Sequence, residues 1–341
     1  MVSYSPRDRR HRCKSLMKSF SPIIASDMNN ALIRIPDKLE IKKAVFSIHP
    51  DKAPGPDGFS ASFYQTYWDI IGDDVTTEVG NFFNTSTLDG RYNETHVRLI
   101  PKTRGAKKVA DYRPIALCST HYKIIAKFLT NRLQPVLQTI ISKNQSTFVK
   151  GRAISDNVLI THEVLHYLQT SGAQVRCAMA VKTDMSKAYD RIEWSFLARV
   201  LERLGFHPTW TSWIMECIQS VSYSILVNGA AQGRVIPSRG IRQGDPLSPY
   251  LFILCTEVLS GLGSKAMHEG RLAGAKFSRR FPPVNHLLFS DDTMFFTKTS
   301  VTCCEALKHV LTFYEGASGQ CINLGKSAIT FSAKTPSEVK T

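Results

Sequence analysis

Two short apolar runs, residues 286–289 and 293–297, meet at Ser290-Asp291-Asp292. Runs this short are strands rather than helices, and they predict a tight hairpin whose tip carries two carboxylates. Like charges at that range repel unless a cation compensates them. A third carboxylate, Asp184, ends the run 177–183, which reads as a buried strand. If those strands are neighbours in one sheet, three carboxylates converge at one edge. Such hard oxygens suit Mg²⁺, with positions left open for phosphate oxygens. Two such ions would clamp the attacking and leaving oxygens of an in-line displacement. The plainer alternative is that Asp291 and Asp292 are turn residues, a role aspartate often fills.

The chain has 341 residues, 43% apolar and 21% charged, enough for two compact domains and unlike a disordered or fibrous composition. Its 43 Lys and Arg against 28 Asp and Glu leave a net charge of +15. That surplus favours a polyanionic partner through steering and counterion release. A basic protein without such a partner is the alternative. The eight cysteines include no C-x₂-C pair, which argues against zinc ribbons and disulfide scaffolds and for thiols in a reducing compartment. No apolar run reaches the roughly 18 residues of a membrane span, and the first residues lack the apolar core expected of a secretory signal. Arg7, Arg9, Arg10, Arg12, Lys14 and Lys18, against Asp8, read equally as a transit peptide, a nuclear address or a basic linker.

Along the chain, Ile41, Ala44, Val45 and Ile48 predict a short amphipathic helix over 36–48. The Pro- and Gly-rich stretch that follows it is a shaped loop. Helical segments follow to about Phe83. Thr95, Val97 and Leu99 alternate as in a half-exposed strand that runs into the basic loop of Lys102, Arg104, Lys107 and Lys108. A helix is expected over 115–141. Leu197, Val200, Leu201 and Leu204 form a helical stripe closed by Gly205, and Asn228-Gly229 marks a hairpin. Pro246 opens a helix over 247–267, another passes through Cys304, Leu307, Leu311 and Tyr314, and 328–331 is a last strand.

Several segments together resemble a known family. Lys182-Thr183-Asp184-Met185-Ser186-Lys187-Ala188-Tyr189-Asp190-Arg191, then Gly240-Ile241-Arg242-Gln243-Gly244-Asp245-Pro246-Leu247, then Leu288-Phe289-Ser290-Asp291-Asp292 are similar to reverse transcriptase motifs A, B and C in that order. Lys52-Ala53-Pro54-Gly55-Pro56-Asp57-Gly58-Phe59 resembles the extra N-terminal motif of non-LTR (LINE-type) retrotransposons, particularly plant ones. Leu99-Ile100-Pro101-Lys102 with Asp111-Tyr112-Arg113-Pro114 resembles their first fingers motif. Asn131-Arg132-Leu133 with Gln145-Ser146-Thr147-Phe148-Val149-Lys150-Gly151-Arg152 resembles the second, and Ser318 to Ser327 resembles motif D.

The resemblance implies an α+β fold, the fingers and palm of a right-hand polymerase, with helices on one side of an antiparallel palm sheet. It implies RNA-directed DNA synthesis, with an RNA template, a DNA primer and dNTPs as partners and two Mg²⁺ ions, or Mn²⁺, as cofactor. Asp184, Asp291 and Asp292, with the Met185 carbonyl, would be the metal ligands. Tyr189 matches the steric gate against a 2′-hydroxyl. Arg113, with Lys102, would bind the triphosphate, because both stay charged. Gln243 and Gly244 would line the nucleotide and template, and Lys326 would donate a proton to pyrophosphate. Asp245 reads evenly as part of that lining or as a helix cap. Arg98, Arg104, Lys107, Lys108, Arg152, Arg239 and Arg242 would track the nucleic-acid backbone. Phe148 is expected to be buried in the fingers, the alternative being a stacking platform.

The expected organisation is a basic linker over 1–35, an N-terminal extension and fingers over 36–176, a palm over 177–332 and a polar tail over 333–341. The polymerase proper spans about 95–332. No thumb, endonuclease or RNase H is expected within this length. Ser290 and Thr147 stand where the family usually has alanine or a smaller residue. An RNA-dependent RNA polymerase is disfavoured by the bulk of Tyr189. A catalytically inactive relic that binds RNA is the alternative from another class, and the family's life cycle implies a nuclear location.

Overall fold

A computed structural model describes residues 22–170, 177–274 and 283–340. The basic stretch from Arg7 to Lys18 lies outside the described residues. The strands are β1 (Glu94–Pro101), β2 (Tyr112–Cys118), β3 (Ala178–Thr183), β4 (Ser222–Val227), β5 (Ala230–Val235), β6 (His286–Phe289), β7 (Asp292–Lys298) and β8 (Ala328–Phe331). They form two four-stranded sheets, each inside one of two compact units. The first unit combines Leu137–Val200 with Phe252–Thr341, and the second combines Pro22–Val136 with Leu201–Leu251. The units therefore interleave along the chain, and the expected boundary at 176/177 runs through the first of them. Each described crossing falls inside a helix: Thr120–Ile140, Trp194–Leu204 or Ser248–His268.

In the first unit the sheet order is β6-β7-β3-β8, antiparallel throughout. β3 is central, which explains its almost unbroken burial. Val164 and Leu168 of the helix Ile154–Thr170 pack against Ala178, Ala180, Leu287 and Phe296 of the sheet. The helix Val301–Ser318 begins at Ser300, whose side chain accepts the Cys303 N–H, and ends at Gly319 with φ +81°. A side chain at Gly319 would meet the Arg191 carbonyl at 2.5 Å, so only glycine closes that helix here.

The second unit holds the sheet β2-β1-β4-β5. β1 pairs antiparallel with β2 and parallel with β4, while β4 and β5 form the hairpin expected at Asn228-Gly229. Both turn residues have positive φ, +51° and +85°, as a type I′ turn demands. The helix expected over 115–141 is corrected at its start. Residues 112–118 are β2, and the helix is Thr120–Ile140. β2 is an edge strand, where Pro114 costs no ladder hydrogen bond. The shaped loop has a structural task. Asp57 accepts the Thr120 N–H at 2.9 Å at the start of that helix, and the Lys123 ammonium donates to the Ala53 carbonyl at 2.7 Å. Gly55 lies so close to Cys118 and Ser119 that a Cβ would sit 2.3 Å from their backbone. The helix Lys38–Phe46 is capped by Asp37 and buries Ile41, Ala44 and Val45.

Candidate active site

The first unit assembles its acidic edge from three strand ends. Thr183 pairs with Thr293 and Phe289 pairs with Asp292, so Asp184 leaves β3 beside the start of β7. The turn between β6 and β7 is only Ser290-Asp291, with Ser290 at φ +64°. Asp292 is thus the first residue of a strand rather than part of the turn. Burial, and then the charges of Asp292 and Asp184, push the Asp291 carboxyl above the usual carboxylate range, while Lys182 opposes them. The Lys182 ammonium lies 3.3 Å from Asp292 Oδ1, an oxygen that is buried and accepts no hydrogen bond. Among the described residues, no three His, Cys, Asp or Glu side chains enclose a metal position by themselves. The edge is instead an open, under-compensated set of hard oxygens, the donor chemistry that fits a divalent cation sharing further ligands with phosphate.

The segment after Gly319 flanks this edge. Asn323 N–H donates to the Asp184 carbonyl at 2.8 Å and Ser186 N–H to the Cys321 carbonyl at 2.7 Å, which bridges Met185 to Ile322. Because Asp184 and Ser186 supply the bonds of that bridge, Met185 turns its own carbonyl away from Ile322. Lys326 is exposed in the turn that follows, where its N–H donates to the Asn323 carbonyl at 3.0 Å. Tyr189 stacks on Phe252, with centroids 5.0 Å apart and planes 2° from parallel. Burial, followed by the Asp291 charge, raises its hydroxyl to about 12, with Ser290 opposing the shift. The ring therefore stands beside the acidic turn.

The residues expected to bind the triphosphate and line the template, Lys102, Arg113, Gln243 and Gly244, belong to the second unit. Ile100 pairs with Arg113, and Lys102 N–H donates to the Asp111 carbonyl at 2.8 Å. Alternation along the hairpin puts Lys102 and Arg113 on one face of it, both exposed. The Lys102 ammonium donates to the Ala110 carbonyl at 2.7 Å. Gln243 accepts the Ala116 N–H at 2.8 Å, and Gly244 follows at φ +105°, within 3.1 Å of the Ala116 carbonyl if a Cβ were added. Arg113, Gln243 and Gly244 are thus all referred to β2.

Three expectations for side chains change. Arg242, expected on the nucleic-acid backbone, is buried. It pairs with Asp245 at 3.1 Å, donates to Asn93 and to the Cys217 carbonyl, and lies over the Tyr122 ring at 3.7 Å. Asp245 accepts the Leu247 N–H at 2.8 Å and the Tyr122 hydroxyl at 2.6 Å, so it takes the capping role. Arg152 is likewise structural, donating to the carbonyls of Ile141, Ser142 and Gln145. Phe148, expected to be buried, is 44% exposed at φ +59°. Arg98, Arg104, Lys107, Lys108 and Arg239 are exposed. Among the described residues no helix is long and apolar enough to cross a membrane.

Residues 100–340 match the model of the family described as reverse transcriptase (RNA-dependent DNA polymerase). The chain is 29% identical over 289 residues to an uncharacterized 149 kDa protein of transposon TX1 from Xenopus laevis, covering 85% of this chain and 21% of that one. It is 28% identical over 295 residues to a retrovirus-related Pol polyprotein of the type-1 retrotransposable element R2 from Popillia japonica, covering 84% of this chain and 38% of that one. An uncharacterized mitochondrial protein of Arabidopsis thaliana is 68% identical over 68 residues, 20% of this chain and 56% of its own length. The chain thus spans between about a fifth and just over half of these relatives. With its acidic edge at one sheet end, its ordered motifs and a family match over most of its length, this chain belongs to the reverse transcriptase family.

Proposed function

We propose that the chain is an RNA-directed DNA polymerase domain, adding dNTPs to the 3′-hydroxyl of a DNA primer on an RNA template. The observation that carries this reading is the crowding of Asp184, Asp291 and Asp292, with Asp292 Oδ1 buried and without a donor. In this reading the first unit, with its antiparallel sheet, is the palm, and β1 and β2 with their basic loop belong to the fingers. Asp184, Asp291, Asp292 and the Met185 carbonyl would hold two Mg²⁺ ions, or Mn²⁺. When bound, the ions lower the pKa of the attacking hydroxyl and absorb charge on the leaving pyrophosphate.

The chain's own residues do the rest. Tyr189, braced by Phe252, bounds the sugar and leaves no space for a 2′-hydroxyl. Arg113 holds the triphosphate as a permanent charge, with Lys102 beside it on the same hairpin face. Gln243 and the side-chain-free Gly244 let the backbone approach nucleotide and template. Lys326 donates a proton to pyrophosphate from its exposed turn.

Primer extension on an RNA template with a DNA primer, dNTPs and Mg²⁺ tests the proposal by comparing the unmutated chain with Asp291→Ala. Incorporation by the first and its loss in the second is the expected result. No incorporation by either, with template still bound, would replace the enzyme with the inactive RNA-binding relic.

A further inference from the structure

The second fingers motif contains a side chain with no task in this scheme, and its surroundings give it one. We infer that Gln145 is a positioning residue for the metal-binding carboxylates, holding the turn from which Asp291 and Asp292 project. The inference rests on the proposed assignment of those carboxylates. Residues 144–146 run alongside β6. Leu288 N–H donates to the Asn144 carbonyl at 2.9 Å, Ser146 N–H to the Leu288 carbonyl at 3.5 Å, and Gln145 forms a parallel bridge with Leu288. Gln145 is 1% exposed. Its Oε1 accepts from Thr147 N–H at 3.1 Å, from the Thr147 hydroxyl at 2.6 Å and from Ser290 N–H at 3.4 Å.

Three donors converging on one oxygen fix the orientation of the amide, so Nε2 faces the other way. There it is buried without a partner. An unsatisfied buried donor is costly, so a glutamine kept only for packing would be inferior to methionine. The acceptor end must supply what an apolar side chain does not. Ser290 is where that acceptor is used: at φ +64° a non-glycine residue carries backbone strain. A relaxed Ser290 would rotate the two carboxylates that follow it. The Gln145 anchor is itself held, since Arg152 donates to the Gln145 carbonyl at 2.8 Å. Asn157 donates to the carbonyls of Asn144 at 2.8 Å and Leu288 at 3.2 Å.

The test is a Mn²⁺ titration of the full chain followed by electron paramagnetic resonance, with thermal unfolding in parallel. The unmutated chain should bind Mn²⁺ in a manner lost with Asp291→Asn. Gln145→Met should weaken binding about 10-fold, the low end for losing a group that orients a metal ligand. Adding Ser290→Gly to Gln145→Met should recover most of that affinity, because glycine takes positive φ freely. Ser290→Gly alone should change it little. Gln145→Glu keeps the acceptor oxygen and should retain the affinity, which covers the case in which Gln145→Met fails to fold. Unchanged Mn²⁺ affinity in Gln145→Met, or equal loss in Gln145→Glu, overturns the inference. So does the absence of any Asp291-dependent Mn²⁺ binding, whether or not primers are extended. Mn²⁺ binding without primer extension instead removes the proposed function and leaves the role of Gln145 to the titration.

Discussion

Each unit of this chain sets an aspartate among other ionisable groups, and the two treat it in opposite ways. In the second unit Asp245 is surrounded by the Arg242 guanidinium, the Tyr122 hydroxyl and the Leu247 amide. In the first unit Asp291 has two carboxylates for neighbours, and Asp292 Oδ1 has only the Lys182 ammonium, itself 45% exposed. A carboxylate satisfied on every side by its own chain is part of the architecture. One left short of donors costs stability and is retained where a ligand will supply the missing charge.

The sharpest way to break this contrast is to remove one partner on each side. Arg242→Met leaves Asp245 buried and unpaired, and should cost about 3–5 kcal/mol in denaturant unfolding. Asp291→Asn removes repulsion instead and should leave stability unchanged or raised. A loss below about 1 kcal/mol for Arg242→Met, the level of an exposed ion pair, would end the claim that this pair is structural.

A smaller effect separates the units by pH. His121 in the second unit and His286 in the first are both held by burial at about 4. The unfolded chain then binds the proton first, so each histidine withdraws stability as pH falls from 6.5 toward 4, on the order of 3 kcal/mol at full effect. In the first unit Glu257, raised by burial to about 7, works in the other direction. Folded Glu257 is protonated first, so its contribution grows as pH falls from 7 to 4.5. The two nearly cancel there, while His121 has no such counterweight among the shifted groups described in its unit. Hydrogen exchange at pH 5 should therefore show β1 and β4 losing protection before β3 and β7. Equal loss in both sheets would refute the contrast.

The smallest expected effect concerns specificity. Tyr189→Ala should raise the ratio of rNTP to dNTP incorporation about 10-fold, the scale of one steric contact in a pocket, and Tyr189→Phe should leave it near the unmutated value. Unchanged sugar selectivity in Tyr189→Ala would remove the gate assignment.

Much of this arrangement was legible because local and global signals agreed. The hairpin around Asp291, the strand ending at Asp184 and the turn at Asn228-Gly229 all announce themselves through short-range chemistry. The start of the helix Thr120–Ile140 was not, because Ile115, Ala116 and Leu117 suit either a helix or a strand and pairing with β1 decides. Arg242 and Arg152 were misread for a related reason. Arg242 finds its partners at Asn93 and Cys217, 149 and 25 residues away, and those of Arg152 are nearby backbone carbonyls, which the identities of the residues do not reveal. Gln145 was visible in a motif, but its task depends on a contact 145 residues away.

The interleaving of the two units bears on how the chain is made. β1 must wait for β4, and β3 for β7 and β8, so neither sheet can close on the segment that first leaves the ribosome. Most of the apolar strands are synthesised before their partners exist, a high contact order that slows folding and prolongs exposure of unpaired edges. Expression at low temperature or with added chaperones should therefore raise the soluble yield more than any single surface substitution. A truncation at 176/177 separates β1 from β4 and β2 from Gln243, and leaves two fragments that each lack half of a sheet or its support.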